Sequence, residues 1–229
     1  MPAPGSPRTP TNADVFPLTQ MTWIGRHLDQ GDPGRGEVNR HVMALYAWPL
    51  KVYFLGTRDR WIGDPDEVVN GFFADRLARP GFFDGWRRSG LRLRHWLINA
   101  FCFYLRELKR AHARDRHAPE EPDTPVPAAV ERDFDRAFVA SMVRQAIEQA
   151  RQTCEDGGLN AHWQVFTEHF IRGREYESFV SELGIDPARA VVMARTAKKR
   201  FQAALRELVS HDAASADIDA EIRSLLEAS

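Results

Sequence analysis

Cysteine is scarce: 229 residues carry only Cys102 and Cys154. Two thiols make a poor disulfide framework, and neither has histidines at zinc-ligand spacing. Both lie in helix-like segments, where a lone cysteine serves as a small hydrophobe. Long apolar runs are missing too. None approaches the roughly 18 residues that span a bilayer, so no membrane insertion is expected. Residues 1–15 are rich in Pro, Gly, Ser, Thr and Asn, without the apolar stretch of a secretion signal, and a cytoplasmic location follows as the expectation. There is no glycine-rich phosphate loop, no nucleophile motif and no metal-spaced set of His, Cys, Asp and Glu. His162 and His169 stand two helical turns apart and read as surface or half-buried histidines. No enzyme, no cofactor and no metal is therefore expected. Net charge is nearly absent as well: 31 Lys and Arg face 32 Asp and Glu, for −1 overall. That excludes nucleic-acid binding by bulk charge and leaves open local patches balanced elsewhere.

What is present is helical pattern with two breaks, the leader over 1–15 and one further on. Ala118 to Pro127 is proline-rich and acidic and reads as an extended linker. The expected organisation is a leader over 1–15, a domain over 16–117, a linker over 118–130, a second domain over 131–210 and an acidic C-terminal helix over 211–229. No segment alternates as a strand, so the predicted fold class is all-α, with two helical domains. Val38, Val42, Leu45, Pro49 and Val52 step by four and three along one helix face, with a proline inside it. Asp64-Pro65-Asp66-Glu67 predicts a helix start, with Asp64 as N-cap, Pro65 at the first position and Glu67 at the capping-box position. That helix should bury Val68, Phe72 and Leu77 and stop before Pro80-Gly81. Beyond the linker, Phe138, Met142 and Ala146 share one helix, and Trp163, Phe166 and Phe170 another. Trp61 reads as core or as a loop anchor.

The segment from Leu91 to Arg110 is the most informative. At about 100° per residue, Leu93, Leu97, Phe101, Tyr104 and Leu108 share one face. The other collects Arg92, His95, Asn99, Phe103, Arg106 and Arg110, with Trp96 at its margin. Between Trp86 and Arg116 there are nine Lys or Arg and only two acids, Glu107 and Asp115. Aromatic rings among cations and amides suit single-stranded nucleic acid: guanidinium groups meet phosphates, rings stack on unpaired bases, and Asn and His bond base edges. The same pattern also fits Trp96 and Phe103 packed on a neighbouring helix beside solvated arginines.

Residues 175–208 carry a second signal. Tyr176, Phe179, Val180 and Leu183 predict a short amphipathic helix. Gly184 suits a left-handed turn, and Asp186-Pro187 caps and starts a further helix that should bury Ala190, Ala194, Ala197, Phe201, Leu205 and Leu208. Its outward face holds Val192, Arg195, Thr196 and Lys199, flanked by Arg189, Lys198 and Arg200, with no acid between Arg189 and Arg200. A helix-turn-helix presents its recognition helix to the major groove in this way; a plain helical hairpin shares the outline.

Several pieces, in order, resemble the extracytoplasmic-function sigma factors, most closely the variety abundant in planctomycetes. These are Phe16-Pro17-Leu18-Thr19 with Trp23-Ile24, Tyr46-Ala47-Trp48-Pro49 with Val52-Tyr53, Asp66 through Leu77, Leu91 through Leu97, and an acidic tail with Ile218, Ile222, Leu225 and Leu226. The resemblance implies a sigma region 2-like bundle and a sigma region 4-like helix-turn-helix domain joined by a flexible linker. In that family the first domain docks on the clamp of core RNA polymerase through the helix matching Asp66 to Leu77, here with Asp66, Glu67, Asn70 and Phe73. It melts and reads the −10 element of promoter DNA through the helix holding Arg92, His95, Trp96, Asn99, Phe103, Arg106 and Arg110. The second domain reads the −35 element through Arg189, Val192, Arg195, Thr196, Lys198, Lys199 and Arg200. Such factors are commonly held by an inhibitory (anti-sigma) protein. The chain departs from the family at Glu67-Val68-Val69-Asn70, shorter than the usual clamp motif, at Val191 and Thr196, where basic residues are common, and between Trp86 and Gly90. Two other readings stand beside promoter-specific initiation: a sigma-like adaptor or decoy working through protein contacts, and a stand-alone helix-turn-helix regulator.

Overall fold

A computed structural model of the chain describes residues 23–115 and 126–212. The leader, Phe16 to Thr19, residues 118–125 of the linker and residues 213–229 with Ile218, Ile222, Leu225 and Leu226 lie outside the described residues. In chain order the helices are α1 (Trp23–Leu28), α2 (Asp32–Gly56), α3 (Pro65–Leu77), α4 (Phe82–Ser89), α5 (Leu93–Asp115), α6 (Ala128–Asp156), α7 (Asn160–Phe166) and α8 (Pro187–Asp212). A 3-10 turn over Arg58–Ile62 joins α2 to α3, a π turn over Thr167–Ile171 extends α7, and a further 3-10 turn covers Tyr176–Ser178. No strand occurs among the described residues.

Helix α2 is central because its apolar face is unusually wide. Val38, Val42, Leu45 and Pro49 are buried as the spacing predicts, but Tyr46, Leu50, Tyr53 and Phe54 add a second stripe beside the first, and Val52 is only half-buried. A helix with two adjacent stripes takes neighbours on two sides. On one side sits α3, whose start is fixed by Asp64: its Oδ1 accepts the N–H groups of Asp66 and Glu67 at 2.8 and 3.2 Å. From there α3 buries Val68, Val69, Phe72, Phe73 and Leu77. The buried guanidinium of Arg76 ties α3 to α5, 2.8 Å from Asp75 and 2.5 Å from Glu107. Lys109 of α5 reaches Asp59 in the 3-10 turn at 3.2 Å.

On the other side of α2 lies the first half of α6. Phe138 stacks on Tyr46 with centroids 5.0 Å apart, and Phe134 meets Tyr53 edge-on at 6.2 Å. Val130, Phe134, Phe138 and Met142 thus join the apolar cluster of α2, α3 and α5, together with Ala204, Leu208 and Val209 from the end of α8. The largest core is therefore common to both sides of the linker. Sequence spacing pairs Phe138, Met142 and Ala146 with the helix of Trp163; instead they seat on α2. The reason is length: α6 runs 29 residues, about 43 Å at 1.5 Å per residue, so its two ends reach different neighbours. Full burial of rings such as Phe134 and Phe138 contributes about 1.5–3 kcal/mol each, which strongly favours this seating over exposure.

The far end of α6 supports two small clusters. Cys154, Phe166 and Ala197 form one, and Val165, Phe179, Val180, Ala190, Met193 and Ala194 the other. The segment carrying Tyr176, Phe179, Val180 and Leu183 is not the predicted amphipathic α-helix. After the 3-10 turn it continues as hydrogen-bonded turns to Gly184, with Phe179 and Val180 held inward. A run of eight residues between Arg174-Glu175 and a left-handed glycine is too short to propagate a helix without strong propensity. Gly184 has φ 65°, as expected of a turn glycine, and Asp186 Oδ2 accepts the Arg189 N–H at 3.1 Å to start α8.

Candidate nucleic-acid interface

Three surfaces carry the residues singled out by sequence, on α5, on α8 and at the start of α3. The approach to α5 is fixed by Trp86, whose Nε1–H donates to the Leu91 carbonyl at 2.9 Å, and by Gly90 at φ 67°. The buried stripe of α5 is Leu93, Leu97, Phe101 and Leu105, with Tyr104 and Leu108 half-buried beside it. Sequence spacing misses Leu105 because the stripe drifts around the helix over its 23 residues. Arg94 is also buried: its Nε is 3.9 Å from Asp135 and its guanidinium lies 5.9 Å from the Phe138 ring, so α6 covers that side.

The other side is open. His95, Asn99, Phe103 and Arg110 are exposed, and Arg92, Trp96 and Arg106 are half-buried. Phe103 is 59% exposed, unusual for a phenylalanine, and the Arg106 guanidinium lies 5.3 Å from its ring centroid. Trp96 leans on Phe82 at 6.0 Å and stops against Gly85, where an added Cβ would come within 3.1 Å of the indole. Its Nε1 is buried without a partner in the structure. Trp96, Asn99, Phe103 and Arg106 come together along a groove of about 870 Å³. Arg92, His95 and Arg110 do not line it. The groove brings in residues that the sequence reading misses: Arg79, Pro80 and Phe82 after α3, Tyr53 of α2, and Glu131 of α6. Arg79 could have been found from the Arg76-Leu77-Ala78-Arg79 spacing at the α3 end; nothing local signals Tyr53 or Glu131. On the groove wall Cys102 and Tyr53 share a hydrogen bond of 3.1 Å between Sγ and Oη. Burial, more than that bond, pushes the Tyr53 hydroxyl far above its ordinary range, and burial also raises the Cys102 thiol. Both groups stay neutral at physiological pH.

On α8 the outward residues are Arg189, Val192, Arg195, Lys198 and Lys199, all exposed, with Val192 at 60%. Thr196 is half-buried and its hydroxyl donates back to the Val192 carbonyl at 3.0 Å. Lys198 stands 4.8 Å over the ring of Phe170. Arg200 departs from the expected outward face. It is half-buried, and an added Cβ at Gly157 would lie 3.5 Å from its Nη2, so it turns toward the C-terminal end of α6, where a cation is favoured by the helix dipole. Inward, α8 buries Ala190, Met193, Ala194, Ala197, Ala204, Leu208 and Val209; Phe201 and Leu205 are half-buried.

The third set lies on α3. Asp66, Glu67 and Asn70 are exposed at its start, with Asp66 ion-paired to Lys51 of α2. Phe73 does not belong with them: it is 2% exposed and its ring packs on Phe72, 5.5 Å away, inside the core. Three residues after Asn70 places Phe73 about 300° round the helix, on the flank that meets the rest of the core. Trp61 is neither core nor anchor in full; it is 47% exposed and meets His112 edge-on at 6.0 Å. His169 stacks on Tyr176 at 4.0 Å and bonds the Arg174 carbonyl through Nδ1 at 2.9 Å, a structural role. Among the described residues no three His, Cys, Asp or Glu side chains gather to hold a metal ion, and no helix is long and apolar enough to cross a membrane.

No protein-family model, no curated protein and no solved structure matches the chain.

Proposed function

We propose that this protein is a sigma-type initiation factor that directs core RNA polymerase to promoters. In this reading α5 takes the melted −10 strand, α8 takes the −35 duplex, and the start of α3 contacts polymerase through Asp66, Glu67 and Asn70. The observation that carries the reading is the groove on α5, where an exposed Phe103 stands beside Arg106, Asn99 and Trp96. A solvent-facing aromatic among cations has little to contribute to this fold and much to contribute to an unstacked base, which gains about 1–3 kcal/mol per stacked ring. The acid-free outward face of α8, with Arg189, Arg195 and Lys199, adds a duplex-binding surface of a different kind. The assignment of a region 2-like and a region 4-like part, which here share one core, the inhibitory protein partner and the cytoplasmic setting belong to the same proposal.

The test is to add the protein to sigma-free core polymerase and read run-off transcripts from a library of promoter-like duplexes. Specific transcripts with a common −10 and −35 sequence are the expected outcome. Association with core and no transcript would favour the adaptor reading. Duplex binding that polymerase does not affect would favour a stand-alone regulator.

A further inference from the structure

The groove on α5 is walled at one end by a helix from the other half of the chain, and that wall is acidic. Glu131 of α6 lines the groove with Arg106 and Phe103. One helical turn on, Asp135 stands 3.9 Å from the buried Arg94 Nε. Residues four apart share one helix face, and both acids flank the stripe of Val130, Phe134 and Phe138 that seats α6 on α2. That seating is tight: a Cβ added at Gly56 would come within 2.9–3.0 Å of the Val130 methyl groups. Glu131 is itself exposed and contributes nothing to the core. A carboxylate there is unfavourable for any polyanion entering the groove.

We propose that the first turn of α6 is an internal acidic competitor for the single-strand groove: Glu131 places negative charge where strand phosphates would lie beside Arg106. The proposal rests on the reading of α5 as a single-strand face and adds its regulation. With α6 seated, the groove has low affinity; when the first turn of α6 leaves α2, the Glu131 carboxylate goes with it and Arg106 is released to the strand. The linker side of the chain thereby controls the −10 side without any further protein.

The test measures fluorescence anisotropy of an end-labelled oligothymidine of about 12 nucleotides, within the range of single-strand site sizes, against the full chain over a salt series. Glu131→Gln should tighten binding several-fold, Glu131→Lys should tighten it further, and Glu131→Asp should stay near the parent. The slope of log affinity against log salt should steepen by about 0.7 for each phosphate newly neutralised. Glu177→Gln, an exposed acid on the distant 3-10 turn, should change neither quantity. Equal affinity and slope for parent and Glu131→Gln would overturn the proposal and leave the single-strand reading intact, as would equal tightening by Glu177→Gln, which would mark a bulk-charge effect. Absence of strand binding by parent, Gln and Lys variants alike would overturn both.

Discussion

Two phenylalanines two residues apart on α5 separate binding from folding. Phe101 is fully buried and touches Phe72, Phe54 and Tyr53 at centroid distances of 5.1, 6.5 and 6.4 Å. Phe103 is 59% exposed and its ring contact is with Arg106. Phe101→Ala removes a packed ring and should cost about 3–5 kcal/mol of stability. Phe103→Ala gives up little burial and at most an exposed cation–π contact of about 0.5–1 kcal/mol. Its effect on strand binding is set by stacking, about 1–3 kcal/mol per base, or about 5- to 150-fold in affinity. The assay pairs urea denaturation followed by circular dichroism with anisotropy of a labelled single strand. The expected result is a Phe103→Ala protein of near-parent midpoint and much weakened binding. A loss of more than about 2 kcal/mol in Phe103→Ala would show that the ring is structural in solution, since surface changes are usually within about 0.5 kcal/mol. Undiminished binding would refute the stacking argument.

The remaining predictions concern the core, the half-buried His41 and α8. Phe138→Ala should destabilise by about 3–5 kcal/mol and, because its ring joins both halves, tryptophan reporters at Trp86 and Trp163 should report one coincident transition; two separated transitions would contradict the common core. His41 is held to a pKa of about 4, first by burial and then by the charge of His27. The folded state therefore disfavours the proton that the unfolded chain takes up near 6.5, so this stabilisation is complete above that pH and is lost on acidification toward 4. The difference amounts to roughly 3 kcal/mol. A His41→Gln variant should flatten the stability–pH profile between 6.5 and 4 (the two pKa limits for this group); an unchanged slope would remove His41 as its cause. Lys199→Glu on the exposed face of α8 should weaken duplex binding and its salt slope by about one phosphate contact with no change in helix content.

Local signals were readable in the sequence where one element decides them. Asp64 as cap, Gly184 as left-handed turn, the Val38–Pro49 stripe and the open side of α5 all follow from spacing and backbone preference over a few residues. The seat of α6 was not readable in this way. Its apolar stripe fits either half, and only the second stripe of α2, with Tyr46, Leu50 and Tyr53, determines which half receives it. Phe73 and Arg200 sit inward where a surface was expected: the resemblance put Phe73 on a contact face and charge put Arg200 on one, but helical phase and a neighbouring helix end turn each of them inward. Residues 176–184 carry a helical pattern too short to sustain a helix, so packing of Phe179 and Val180 prevails over periodicity. Glu131 enters the groove from 25 residues beyond Arg106 across the linker, a juxtaposition that only the fold provides.

The central claim is tested most directly by reconstituting sigma-free core polymerase with the parent chain and with Arg106→Glu, following both association and run-off transcription. The account predicts specific transcripts from the parent, and an Arg106→Glu protein that still associates with core through the α3 surface and yields none. Transcription by Arg106→Glu at the parent rate would contradict the assignment of the α5 groove, and failure of the parent to associate with core would contradict the proposed function itself.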